Sequence, residues 1–563
     1  MSALPIQIGG EFFRRIREEQ CYYVDKTAFI EELFSPVPPK VSLITRPRRF
    51  GKTLTMTMLR DFFDIQQDSK AIFAGLEVAK NQALCTAWMN QYPTVLISLK
   101  QMEGMNFEEC LSLFRETAVT QCNAHSYLLE SNLVDPSDKE VLKAIIERRA
   151  DKSLLATILL TLCRALRAHW GKPVILLIDE YDVPLARAES NGYYLEMVGF
   201  LRNMLGAALK TNDALQLAVL TGCLRISKES IFTGLNNFKC FGIADVRFAD
   251  KFGFISQEVD TLLNAAGLSE KKAVMKEWYD GYRFGEDTEI YCPWDILQYV
   301  SDLQSSASAK PQAYWNNTSG NALVRSFVGR TEFHIGHKFE NLLAGGCVEV
   351  DIVESLTYDS LHSSEDNLWS LLYLTGYLTK ASQQQREQCG LAPDSDMTAL
   401  VIPNKEVRTI FTSSVASWFS DTVRKLDKSD LFRYLWAGNA AELSRLLTKQ
   451  LYSTISYYDA HEDYYHAFLA GILSFAGYDV RSNRESGNGR PDILVLDIEG
   501  ERAVIIEIKT VKQRADMEKT ARAALAQIET QHYALGLPSI ITQVQQYGIA
   551  FSKKECLVLK AEA

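Results

Sequence analysis

The sequence predicts an α/β protein of several domains, built on an open, mostly parallel sheet with helices on both faces and ending in a second α/β unit. Three observations predict it. Apolar runs at 41–45, 92–100, 173–182 and 214–222 alternate with longer stretches of helical periodicity, the pattern of strands joined by crossover helices. Polar or charged groups follow these runs directly, where a parallel sheet gathers its ligand-binding groups. Near the C-terminal end a further pair of strand-like runs, 491–497 and 503–509, carries its own carboxylates and a lysine.

At 563 residues the chain is too long for one core, and three or four domains are expected. With 47% hydrophobic and 23% charged residues it has the composition of a globular protein. A net charge of -10 argues against whole-surface attraction to nucleic acid but is compatible with a local basic cleft. The eleven cysteines are scattered without a C-x-x-C pair, which points away from a disulfide scaffold or a zinc cluster and toward a reducing, cytoplasmic setting. The N-terminal segment lacks the basic and apolar parts of a signal peptide, and no stretch reaches eighteen uninterrupted apolar residues, so neither secretion nor membrane spanning is expected.

The first strand, 41–45, leads into the turn Arg46-Pro47-Arg48-Arg49-Phe50 and then Gly51-Lys52-Thr53 at the start of a helix over 54–64. Backbone N–H groups at a helix N-terminus, a lysine reaching the β/γ phosphates and a hydroxyl on Mg²⁺ are what a nucleoside triphosphate needs. Arg46 stands where the general motif has its first glycine, and residues 46–53 are the candidate cofactor-binding loop, its arginines placed to help hold phosphates that a glycine-rich loop would hold by backbone alone. Alone, the segment also fits a turn before an ordinary helix. The run 173–182 decides in favour of the phosphate site: it reads as a buried strand followed by carboxylates, with Asp179 placed to take Mg²⁺ through water and Glu180 to polarise the attacking water. At the end of the run 214–222, Thr221 is a candidate to sense the γ-phosphate or hold the lytic water. Arg225 and Lys228 lie just beyond, close enough to offset phosphate charge in cis or from a neighbouring subunit. For Arg225 an ordinary salt bridge is the competing assignment.

The intervening elements follow the same periodicities. Residues 12–34 suit short amphipathic helices around an Asp25-Lys26-Thr27 turn, lying over the adenine side of the site or simply packing. Residues 104–126 and 136–169 read as two long helical stretches, with another helix near 196–210. The aromatic, Gly- and Pro-bearing segments of 240–300 read as loops packed against a domain surface. Residues 296–450 are mostly helical, with 371–380 and 399–408 as a helix and a strand of a small helical or winged-helix domain. This part is expected to couple the two ends of the chain, with a partner-binding surface as the alternative.

From 451 onward a helix over 464–478 precedes a polar turn at 481–490 and the two strands. Glu507 and Lys509, two apart on a strand, share a face; Asp492 opens the strand before them. Two carboxylates suit Mg²⁺ or Mn²⁺, and the lysine suits a water or the transition state, the minimum apparatus of a phosphodiester nuclease. Glu485, on the turn, is a candidate third carboxylate. The helix over 521–535 brings Gln527 near Lys509, with Tyr533 close by, and basic residues between 509 and 522 suit a phosphate backbone. The last strands fall within 547–559.

With Y23-V-D-K-T27, T45-R-P-R-R-F-G-K-T53, L177-I-D-E-Y-D182, T221-G-C-L-R-I-S-K228, W278-Y-D-G-Y-R-F284 and G489-R-P-D…E507-I-K509, the chain resembles bacterial AAA-ATPase-like proteins that carry a C-terminal PD-(D/E)XK nuclease-superfamily domain. The resemblance covers nearly the whole length. It implies an AAA-like P-loop core (1–240), a helical or winged-helix-like coupling region (241–450) and a restriction-endonuclease-like α/β domain (451–563). It implies an ATP-binding site, with Mg²⁺, at Lys52, Thr53, Asp179 and Glu180, and a nuclease-type site at Glu485, Asp492, Glu507, Lys509 and Gln527. Arg46 fits this family's own version of the loop. The expected function is an ATPase coupled to a metal-dependent nuclease acting on DNA or RNA, with a homo-oligomer or a protein partner compatible with the same residues. The alternative is an ATP-switched regulatory protein whose nuclease-like domain binds without cutting.

Overall fold

The computed structural model describes residues 4–34, 39–225, 232, 238–317, 336–343, 345–354, 356, 363–391, 397–412, 429–454, 462–473, 479–482, 491–511, 513–531, 533–538 and 540–561. Strands β1 (Val41–Thr45), β2 (Thr94–Ser98), β3 (Val174–Asp179), β4 (Leu215–Gly222) and β5 (Phe238–Phe241) form one parallel sheet in the order β2-β3-β4-β1-β5. Every residue of β1 and β3 is buried. Along β3, Val174, Leu176 and Ile178 enter one core while Ile175 and Leu177 enter another. A strand covered on both faces needs apolar side chains on both, hence the unbroken aliphatic runs. Because β4 lies between β1 and β3, the loop after β1, the tip of β4 and the carboxylates after β3 converge on one edge.

Helix α1 (Lys52–Phe63) covers one face, placing Met56, Leu59, Phe62 and Phe63 with Ile175 and Leu177. On the other face lie α2 (Phe107–Ala124), α3 (Ile158–Trp170), α4 (Val183–Asn191) and α5 (Tyr194–Leu209). The single helix expected over 136–169 is instead three, Pro136–Ile146, Lys152–Leu155 and α3. Arg148, at φ 58°, turns the chain left-handed after the first, and the Asp151 side chain accepts from Leu154 N at 2.8 Å to cap the second. The N-terminal helices Phe13–Glu18 and Ala28–Phe34 bury Phe13, Ile16, Phe29, Ile30 and Leu33. Asp25 Oδ1 accepts from Thr27 N (2.8 Å) and Thr27 Oγ1 (2.7 Å), Lys26 Nζ donates to Asp250 O (2.8 Å) and Glu258 Oε2 (2.6 Å), and Phe29 meets Phe248 and Phe252.

The middle of the chain combines helices with small sheets. A hairpin, β6 (Tyr282–Phe284) and β7 (Thr288–Ile290), precedes α6 (Pro293–Ser305). Strands β8 (Val348–Val350), β9 (Thr379–Lys380) and β10 (Thr398–Val401) form an antiparallel sheet ordered β8-β10-β9, with α7 (Glu365–Leu374) and α8 (Gln383–Gln388) between them in sequence. The strand expected over 399–408 ends at Val401 because Pro403 cannot continue a ladder and Asn404 Oδ1 accepts from Val407 N at 3.0 Å, starting a helix at 405.

In the C-terminal part α9 (Ser429–Ala437), α10 (Ala440–Thr454) and α11 (Glu462–Leu473) precede a mixed sheet of β11 (Asp479–Ser482), β12 (Ile493–Asp497), β13 (Arg502–Thr510), β14 (Gln543–Ser552) and β15 (Glu555–Lys560), in that order. Only β13 and β14 run parallel, joined by the crossover helix α12 (Met517–Thr530). That helix begins earlier and ends sooner than the expected 521–535, so Tyr533 lies past its end. On β13, Val504, Ile506 and Ile508 face the main core, while Ile505 lies with Ile528 and Tyr533 on the α12 side. Gly548 of β14 pairs with Glu507, and a Cβ added there would come within 2.3 Å of the Ala521 carbonyl oxygen on α12. Gly548→Ala is therefore expected to lower stability by about 1–3 kcal/mol, the scale of overpacking against an unyielding backbone, as a shifted midpoint in urea unfolding.

Candidate functional site

The loop between β1 and α1 is shaped by two left-handed residues, Arg49 at φ 70° and Gly51 at φ 84°. A Cβ at Gly51 would meet nothing, so glycine is needed there for its backbone and not for space. No side chain caps α1, which leaves the N–H groups of its first turn facing the loop, the arrangement that suits an anion. Lys52, only 6% exposed, turns its ammonium back over the loop to the carbonyls of Arg46 (3.0 Å) and Pro47 (2.9 Å), with Cys223 Sγ at 3.6 Å.

At the shared edge, Thr53 Oγ1 donates to Asp179 Oδ2 at 2.8 Å, and Thr221 Oγ1 donates to Asp179 Oδ1. One carboxylate thus gathers hydroxyls from α1 and β4. Glu180 follows at φ 53°, its carboxyl pushed above the ordinary range by burial and by Asp179, and pulled back by Lys52 and Lys100. Asp182 Oδ2 accepts from Cys223 N (2.8 Å) and Leu224 N (3.0 Å), pinning the loop after β4 to the loop after β3. Gly222 allows this approach: a Cβ there would lie 2.7 Å from Asp182 Oδ1 and from the Tyr181 ring. Arg225 stands 3.9 Å from Glu354 across a half-exposed ion pair, the salt-bridge alternative weighed for it.

The side chains of the loop's variable positions mostly face inward. Arg46 is wholly buried: Nη1 donates to the carbonyls of Thr45 (2.8 Å), Phe241 (3.0 Å) and Gly242 (2.7 Å), and Nη2 to Phe248 O (2.9 Å), with the Phe252 and Phe284 rings alongside. Burial pulls its pKa down to about 10. Its guanidinium is committed to these carbonyls, so the expectation that it binds phosphate with its side chain is corrected. Pro47 packs against Gly376, and Phe50 sits between Tyr282 and Phe284. Arg48 is exposed. Arg49 lays its guanidinium over Trp294 at 3.9 Å. Behind it lie two buried carboxyls, Asp295 of α6 and Glu406; Cys292 Sγ donates to Arg49 O at 3.8 Å, and Trp315 N donates to Glu406 Oε1 at 2.8 Å. Burial raises both carboxyls, and the Asp295 charge raises Glu406 further, so the pair holds a proton where free carboxyls are ionised.

A second constellation lies under α12. Asp492 Oδ2 accepts from Ile508 N at 2.8 Å, which sets its carboxylate beside β13 between Glu507 and Lys509. The Gln527 amide spans those two: its oxygen accepts from Lys509 Nζ at 2.7 Å and its nitrogen donates to Glu507 Oε1. Glu507 is 4% exposed, whereas Asp492 and Lys509 are partly open. Buried His466 of α11 meets the Asp492 carbonyl at 2.8 Å through Nε2. Among the described residues no group of three or more His, Cys, Asp or Glu is arranged to hold a metal ion. Asp492 and Glu507 supply two carboxylates, and Glu485, like Lys228, falls outside the described residues.

The structure therefore brings together Thr53, Asp179, Glu180, Thr221 and Lys52 at one edge, and Asp492, Glu507, Lys509 and Gln527 at another. The sequence reading passed over Lys100, Asp182, Trp294, Asp295, Glu406 and His466. Asp182 and His466 stand inside segments singled out for other residues, and Lys100 ends the run 92–100, so strand-end position was the available signal. The acidic pair gave none.

Residues 7–232 match the family described as predicted AAA-ATPase, and residues 460–561 match the PD-(D/E)XK nuclease superfamily. The chain is 25% identical over 568 residues to the "Uncharacterized protein in vnfD 5'region" of Azotobacter chroococcum mcd 1, covering 98% of this chain and 97% of that protein. No solved structure matches. Among the described residues no helix is long and apolar enough to cross a membrane.

The carboxyl pair behind the loop gives a pH dependence of definite sign. The folded chain keeps a proton that the unfolded chain releases in the ordinary carboxyl range, so the pair's contribution to stability falls as pH rises above that range. Glu406→Gln, which keeps a neutral partner for Asp295, is expected to flatten the fall in unfolding midpoint between about pH 6 and about pH 9. An unchanged slope would show that the pair does not hold the proton.

Proposed function

We propose, for a chain that joins a predicted AAA-ATPase domain to a PD-(D/E)XK nuclease superfamily domain, that ATP binding and hydrolysis at the first site control metal-dependent phosphodiester cleavage of nucleic acid at the second. The observation that carries this reading is the pairing of two side-chain sets in one chain: Thr53 and Thr221 on the Asp179 carboxylate, and Asp492 beside Glu507 and Lys509, which Gln527 joins. We take 1–240, 241–450 and 451–563 as the working division into ATPase, coupling and nuclease parts.

At the first site the N–H groups of the loop and of α1 take the phosphates, with Lys52 moving from the loop carbonyls onto them. Thr53 and Asp179 would hold Mg²⁺, since a hydroxyl and a carboxylate already meet there. Glu180, its carboxyl raised and therefore more basic, orients and activates the water, and Thr221 holds that water or the γ-phosphate. Arg225 acts only after leaving Glu354.

At the second site the donor set is all oxygen: Asp492 and Glu507 would hold Mg²⁺ or Mn²⁺, with water and substrate completing the shell. A bound divalent ion supplies a nucleophile at neutral pH and offsets charge on the scissile phosphate. Lys509, held by Gln527, offsets the charge that develops in the transition state. Exposed Arg514, Lys519 and Arg522 near the start of α12 suit the sugar-phosphate backbone. A contiguous path supports coupling: Glu406 opens the helix that carries Arg408, whose Nη1 donates to Leu343 O at 2.6 Å; that helix, Gly336–Leu343, packs on α11, and α11 carries His466 to Asp492.

The test is cleavage of labelled DNA and RNA with Mg²⁺ or Mn²⁺, with and without ATP. Lys509→Ala is expected to lose about 10²-fold or more of the cleavage rate while ATP hydrolysis persists. Lys52→Ala is expected to abolish ATP hydrolysis and the ATP dependence of cleavage. Nucleic-acid binding with no cleavage by the wild type would replace this reading with that of a nucleotide-switched binding protein.

A further inference from the structure

Away from both sites, two thiols meet on the outer face of the β8-β10-β9 sheet. In the register of that sheet Leu400 pairs with Val348 and Val401 with Thr379, which sets Cys347, just before β8, across from Val401. Ala381 N donates to Ala399 O at 2.8 Å on the other side. Cys347, Ala399 and Val401 thus share one face and form a small apolar cluster of their own, whereas Val348, Val350 and Leu400 face the main core. Cys389 closes α8, its N–H donating to Gln385 O at 3.0 Å, and comes down on that small cluster. There its side chain packs against the cluster that holds Cys347. Cys347 is 8% exposed, Cys389 is half-buried, and both are free thiols.

We propose that Cys347 and Cys389 are a modification site, a dithiol that closes into an intrachain disulfide when the folded chain meets a low-molecular-weight disulfide. The more accessible Cys389 attacks first as its thiolate, forming a mixed disulfide and releasing one small thiolate. Cys347 then loses its proton to solvent and attacks the Cys389 sulfur, expelling the second small thiolate. Two protein thiols are oxidised and one small disulfide is reduced to two thiols. Burial and the neighbouring Cys389 sulfur hold the Cys347 thiol above its usual range, which fits the second role and not the first.

The bond has a mechanical consequence for the ATP-binding edge. The segment it closes contains β8, α7, β9 and α8, and between α7 and β9 it contains Gly376. A Cβ at Gly376 would lie 2.9 Å from Pro47 Cβ, so this segment backs the loop between β1 and α1. The sheet also touches the aromatic hairpin, Arg283 N donating to Thr379 Oγ1 at 2.9 Å. Oxidation ties the outer layer of this support to its inner strand, and reduction releases it.

The test uses the full chain incubated with oxidised glutathione, followed by alkylation of remaining thiols, peptide mapping and thermal unfolding. A Cys347–Cys389 linked peptide and an unfolding midpoint raised by about 2–4 °C, reversed by dithiothreitol, are expected. Cys347→Ser should instead trap glutathione on Cys389, and Cys389→Ser, at the more exposed position, should abolish both products. Glutathione on half-buried Cys21 or Cys85 with no Cys347–Cys389 link would overturn the proposal, as would a link that leaves the midpoint unmoved.

Discussion

The architecture depends on a buried cation that is solvated by backbone. Arg46 carries its guanidinium into the interior, where four main-chain carbonyls from β1, the end of β5 and Phe248 take its N–H groups, and two phenylalanine rings cover it. Removing one side of such an arrangement leaves buried polar groups uncompensated, at a cost of about 3–5 kcal/mol by comparison with broken buried ion pairs. In exchange, the first residue after β1, the edge strand β5 and the segment leading into the aromatic hairpin are held as one piece. The loop that follows is set from behind, and a glycine at position 46 would not provide this.

Both sites use the same economy of parts. A carboxylate is aimed by donors from elements the sheet has already placed beside it: two threonine hydroxyls for Asp179, a backbone N–H for Asp492, an amide for Glu507. None of these donors brings a full charge, so the carboxylates keep their appetite for a cation while losing their rotational freedom. Lysines complete each set from one side only, Lys52 over the loop and Lys509 against Gln527.

Much of this was legible in the chain itself. The buried parallel strands announced themselves through unbroken aliphatic runs, and Glu507 and Lys509 through the two-residue period of a strand. Asp179 and Thr221 followed from the rule that strand ends gather ligands. What escaped has a common cause: partners distant in sequence whose pairing leaves no local pattern. The carbonyls that hold Arg46 lie up to 202 residues away, and the Asp295–Glu406 pair joins α6 to a helix start that read as a strand. The breaks at Arg148 and at Pro403-Asn404 were local, yet helical periodicity masked the first and the apolar start of an expected strand the second. His466 was read as one more helix residue because its contact is with a backbone oxygen.

Glu180 shows what the candidate site takes from the fold. Its backbone is left-handed, at φ 53°, directly after a strand whose last residue is fixed by two hydroxyls. An L-residue with a Cβ is strained in that region by about 1–3 kcal/mol, and glycine would relieve it. Selection for stability alone would thus drift toward glycine at this position. A carboxylate kept there carries that strain directly beside a strand buried along its whole length, and the proposed water-activating role is what the strain would serve.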